Sequence, residues 1–105
     1  MIVKFGKEYL QELFEEGKSS DKHHRYQPAV IRKYVLRVVT LQNAPSIESL
    51  YPLHSLNYEA LIGDKAGMSS IRIDNQYRLG VIVESDTTEP TITICTLENI
   101  TNHYK

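Results

Sequence analysis

Ile71-Arg72-Ile73-Asp74-Asn75-Gln76-Tyr77-Arg78-Leu79 decides how the second half of this 105-residue chain folds. Alternation places Ile71 and Ile73 on one face of a strand and Arg72 on the other. Beyond it Tyr77, Leu79, Val81 and Val83 share a face and leave Arg78 opposite. Both apolar sets reach one core only if Ile73 pairs with Tyr77 and Ile71 with Leu79. That register leaves Asp74-Asn75-Gln76 as a three-residue loop, a common hairpin length, and sets Arg72 directly across from Arg78. Like charges directly opposite on adjacent strands repel. Two arrangements relieve them: a bound anion, or separate carboxylates such as Glu84 and Glu98.

Outward from this hairpin, strands are expected over 58–62, 69–74, 77–84 and 91–97, with loops at 63–67 and 85–90. The first half reads differently. Ile2–Phe5 suits a short opening strand, and Phe5, Tyr9, Leu10, Leu13 and Phe14 then recur at helical spacing until Gly17, a natural stop. Residues 18–27 are polar and read as an exposed loop. Pro28 suits the first turn of a second helix. Its expected core stripe is Ile31, Tyr34, Val35, Val38, Val39 and Leu41, ending at Asn43-Ala44-Pro45; residues 46–50 suit a short further turn. Two N-terminal helices packed on an antiparallel sheet predict an α+β fold, one domain over 1–105.

Composition narrows the function classes. With 41% hydrophobic and 24% charged residues the chain is an ordinary globular one, and no stretch approaches the length of a membrane span. No basic segment leads into an apolar one as in a signal peptide. The single Cys95 forms no internal disulfide, so a reducing cytoplasm is expected. Inside the apolar run 91–97 it reads as a small buried hydrophobe rather than a nucleophile. Net charge is −1, but residues 1–37 carry +3 and residues 38–105 carry −4. That balance argues against strong unaided RNA affinity. His23, His24 and His54 match no metal-ligand spacing, and no metal or cofactor is expected.

The stretch from Glu59 to Arg78, with its Gly63-Asp64-Lys65-Ala66-Gly67 hairpin and Ser70-Ile71-Arg72-Ile73 leading to Tyr77-Arg78, resembles the signature of the HigB branch of the RelE-like toxins. The ending Asn102-His103-Tyr104 is similar to a frequent HigB C-terminus. The resemblance covers essentially the whole chain and implies a RelE-like fold, cleavage of mRNA on the ribosome, and neutralisation by a helix-turn-helix antitoxin.

Such cleavage uses the RNA's own 2′-hydroxyl as nucleophile, so it needs a base, an acid and cations for the phosphate, without a metal. By resemblance Arg78 and Arg72 stabilise phosphate charge, and His103, whose ordinary pKa lies near neutral, transfers a proton. Lys65 guides the RNA backbone and Tyr104 stacks on a base or bonds a phosphate. Glu59 stands where some relatives carry a catalytic histidine, and reads either as a base or as an edge-strand carboxylate. Ile62 stands where many carry lysine. Two rival readings remain: a catalytically silent module acting only in complex with its antitoxin, and a nuclease acting on free RNA.

Overall fold

The computed structural model describes residues 1–60, 67–85 and 92–102. The chain runs β1 (Ile2–Phe5), α1 (Glu8–Glu16), α2 (Pro28–Asn43), two single 3₁₀ turns (Glu48–Leu50 and His54–Leu56), β2 (Glu59–Ala60), β3 (Met68–Arg72), β4 (Tyr77–Ser85) and β5 (Thr93–Asn102). The strands form one sheet in the order β1-β5-β4-β3-β2.

The hairpin register is the one its alternation demands. Ile71 faces Leu79 and Arg72 faces Arg78. Ile73 N–H closes the turn onto Tyr77 O at 2.9 Å. Asp74 shapes that turn by accepting the Gln76 and Tyr77 N–H groups, both at 2.8 Å, as aspartate does in tight turns.

One expectation about the sheet needs correction. It is mixed, because β1 runs parallel to β5, with Ile2 beside Ile94 and Phe5 beside Leu97. Alternation reports which face a residue takes but is blind to strand direction. Gly6 continues this edge, its N–H donating to Leu97 O at 2.7 Å. A Cβ on Gly6 would lie 2.6 Å from that carbonyl, so only glycine fits so close to β5.

Both helices cover one face of the sheet. Tyr9, Leu10 and Leu13 of α1 and Val30, Tyr34, Val38 and Leu41 of α2 bury themselves against Ile71, Ile73, Leu79, Val81, Cys95 and Leu97. The spacing of α1 behaves as expected, and Gly17 closes it in the left-handed conformation at φ 74°. The stripe of α2 is rotated from its expected position. Val30 is inside, whereas Ile31 and Val35 only border the core and Val39 is exposed. Apolar residues occupy more of this helix than one core face can take. The Tyr34 hydroxyl is satisfied by donating to Leu10 O at 2.7 Å, tying the helices together. Cys95 is buried as expected, and burial pushes its thiol up to about 11. Among the described residues no helix is long and apolar enough to cross a membrane.

Candidate functional site

The face of the sheet away from the helices carries the charged and polar residues. Its residues fall into cross-strand rows set by the pairing. Arg72, Arg78 and Thr101 form one row. Glu59, Ser70, Gly80 and Asn99 form the next. Arg72, Arg78 and Glu59, three of the residues singled out from the sequence, therefore share one face. His103, Tyr104, Lys65 and Ile62 lie outside the described residues.

Arg78 is the unusual member, for it is only 8% exposed. Its Nε donates to Ser70 Oγ at 2.9 Å, and its Nη2 donates to Asn57 O at 2.7 Å and Ser70 O at 3.2 Å. All three acceptors are neutral. Arg72 is half-buried, with Nε donating to Asp74 O at 3.2 Å and Nη2 to the Asn75 side-chain oxygen. Among the described residues no carboxylate stands within ion-pairing distance of either guanidinium, whereas His24 and Asp21 do form such a contact. Neither Glu84 nor Glu98 answers the paired arginines. Buried charge is expensive unless paired or hydrogen-bonded, and here neutral acceptors hold the cations and leave the charge unneutralised.

A third cation, Arg37 of α2, joins them. Arg37 Nε donates to Arg72 O at 2.8 Å and its Nη2 to Ile73 O at 3.3 Å. Burial, and then the charge of Arg72, hold the Arg37 guanidinium below its ordinary value. This contact joins residues 35 apart through backbone carbonyls, and no side-chain pattern announces it. Asn57 was missed for the same reason, since it too is met through its backbone oxygen. Glu59 is exposed on β2, where its Oε1 accepts from the Asn57 amide at 3.4 Å.

The segment 18–27 is a largely exposed loop, as expected, and its half-buried His24 and Tyr26 dock on α1 and β4. Tyr9 Oη accepts the Ile100 N–H at 3.0 Å, and the His24 ring stacks on Tyr9 with centroids 3.6 Å apart. His24 Nδ1 lies 2.9 Å from Asp21 Oδ2. The His23 backbone N–H, and next the His24 side chain, hold the Asp21 carboxyl below its ordinary range. Tyr26 meets Tyr77 edge-on at 5.3 Å. These two ring contacts anchor the otherwise polar loop. Among the described residues no group of His, Cys, Asp and Glu is arranged to hold a metal ion.

No family model matches the chain. Its fold is that of a known class: a YoeB/ParE toxin from Agrobacterium tumefaciens superposes with a TM-score of 0.62, covering 99% of this chain and 100% of that one at 16% identity. Sequence takes the comparison further. Toxin HigB-1 of Vibrio cholerae is 32% identical over 80 residues, which span 75% of this chain and 80% of that toxin. The chain belongs to the HigB toxin family.

Proposed function

We propose that this protein is the toxin of a toxin–antitoxin pair and cleaves mRNA on the ribosome. One observation carries the reading: two arginines pair across a hairpin, their guanidiniums held by neutral acceptors and with no carboxylate among the described residues to neutralise them. A phosphodiester supplies the missing negative charge, and guanidinium matches its geometry well.

In this mechanism the 2′-hydroxyl adjoining the scissile phosphate attacks phosphorus, and the 5′-oxygen of the next nucleotide leaves. Arg72 and Arg78 stabilise the charge gathering on the phosphate oxygens. Glu59 or His103 removes the 2′-hydroxyl proton, and His103 is assigned proton transfer to the leaving oxygen. Lys65 guides the RNA backbone, and Tyr104 stacks on a base or bonds a phosphate. The reaction is proposed to need no metal, since the nucleophile belongs to the substrate. The ribosome orients the RNA, which compensates for a net charge of −1. The proposed partner that silences the toxin is a helix-turn-helix antitoxin, and the pair acts in the cytoplasm. Leu36, 61% exposed on α2, is apolar surface suited to a protein partner.

The test is primer extension on a defined mRNA with and without programmed ribosomes. Cleavage within the ribosome-bound codon, absent on free RNA, is the expected result. Cleavage of free RNA alone contradicts ribosome dependence. No cleavage by folded protein overturns the nuclease reading.

A further inference from the structure

Both outer strands end before the sheet reaches the arginine row. On one side β2 pairs no farther than Glu59 with Ser70, and Asn57, left-handed at φ 43°, interrupts it before any residue stands opposite Arg72. On the other side β1 pairs no farther than Phe5 with Leu97. The row of Arg72, Arg78 and Thr101 is therefore spanned by β3, β4 and β5 alone. Backbone groups on the outer edges of β3 and β5 face no strand there and need other partners.

Side chains from the helices supply them. On the β5 edge, Tyr9 Oη of α1 accepts the Ile100 N–H at 3.0 Å. On the β3 edge the outward carbonyl is that of Arg72 itself, because Ile73 N–H turns inward to Tyr77 O. Arg37 of α2 donates to Arg72 O from Nε at 2.8 Å and to Ile73 O from Nη2 at 3.3 Å. Its planar fork thus grips two successive carbonyls at the root of the turn that carries Arg72. The head of Arg72 folds over the same turn, its Nε donating to Asp74 O, while the Asp74 carboxylate accepts the Gln76 and Tyr77 N–H groups. Arg37 ties this unit to the helix layer.

For stability alone the tie is a poor one. It half-buries a guanidinium beside the charge of Arg72, and no carboxylate among the described residues offsets either. We infer that Arg37 is a positioning residue of the phosphate site, holding the Arg72 main chain so that the Arg72 guanidinium meets the charge formed on the phosphate. The inference rests on the proposed cleavage and adds to it a residue from the opposite side of the sheet. Arg72 acts on charge that grows in the transition state, so displacing it lowers turnover more than RNA binding.

The test compares wild type with Arg37→Ala, Arg37→Lys and Tyr34→Phe, the last losing a buried hydrogen bond to Leu10 O between the helices. On programmed ribosomes Arg37→Ala is expected to lower kcat about tenfold and to change KM by less than about twofold. Lysine keeps the charge without the fork, so Arg37→Lys is expected to recover little of that loss. Tyr34→Phe is expected to lower the melting temperature and keep the wild-type kcat. In ¹⁵N-labelled protein the Arg72 Nε–H signal is expected to move in both Arg37 variants and to stay in place in Tyr34→Phe. Should Arg37→Ala not fold, Arg37→Lys carries both readouts. A kcat restored by lysine shows that Arg37 contributes charge only, and overturns the positioning role. An unmoved Arg72 signal, a raised KM at unchanged kcat, or an equal loss of kcat in Tyr34→Phe overturns it too. Wild type that does not cleave sinks the nuclease reading, and the Arg72 signal then decides alone whether Arg37 sets its geometry.

Discussion

The two faces of one sheet are built from alternate residues of the same strands and obey opposite rules. On the helix side Ile71, Leu79, Val81, Cys95 and Leu97 are at most 1% exposed, and only apolar contact holds them. On the other side Arg72, Arg78, Glu59, Ser70 and Asn99 sit a single residue away along the backbone. The first face is closed, satisfied and fit only for stability. On the second, charge and hydrogen-bonding capacity are left over. A one-residue periodicity thus separates the apolar core from the charged face, so substitutions at adjacent positions should produce different kinds of damage.

The largest effect on stability is expected at Leu79, next to Arg78. Leu79→Ala removes a fully buried side chain and should cost about 2–5 kcal/mol, seen as a large drop in the midpoint of urea unfolding. A midpoint unmoved by that change would break the division at its closed face. Ser70→Ala sharpens it from the other side. It removes the hydroxyl that accepts from Arg78 Nε, so the guanidinium loses orientation at a cost of about 1–2 kcal/mol. Cleavage kinetics should show a lower kcat with KM little changed, and Ser70→Thr should restore most of the rate. Tyr9→Phe is expected to cost about 1 kcal/mol, since the Ile100 N–H loses its acceptor, with amide hydrogen exchange accelerating there first.

A further effect is one of pH. Burial raises the Cys95 thiol from 9.0 to about 11 and Tyr26 from 10.0 to about 12. Between these values the unfolded chain has released protons that the folded chain keeps, so stability falls as pH rises. The Cys95 contribution is intact below about pH 9 and is lost progressively towards pH 11. Denaturant midpoints measured across that window should decline, and Cys95→Val should flatten the lower part of the decline.

Much of this division is legible in the sequence. Alternation through 71–79 dictates both the register and the Arg72–Arg78 pairing, because only one alignment puts both apolar sets on one side. Pro28 and Gly17 mark helix ends by backbone geometry alone. The parallel placement of β1 was not legible, since its alternation is the same in either direction. The Arg78 acceptors were hidden too. Two of the three are backbone oxygens, of Asn57 and Ser70, and every residue type has a backbone oxygen. Arg37 enters the cluster by the same route. The extra apolar residues of α2 left its core stripe ambiguous by one position.

The most direct test of the central claim is Arg78→Lys, measured for both melting temperature and mRNA cleavage on programmed ribosomes. Lysine keeps the charge but loses the planar fork that reaches Ser70, Asn57 and a phosphate together. A melting temperature within a few degrees of wild type, with cleavage down by about a hundredfold or more, is the predicted result. Undiminished cleavage by the lysine variant would contradict the phosphate-binding role of this face. Cleavage lost only in proportion to folded protein would show that Arg78 serves the fold.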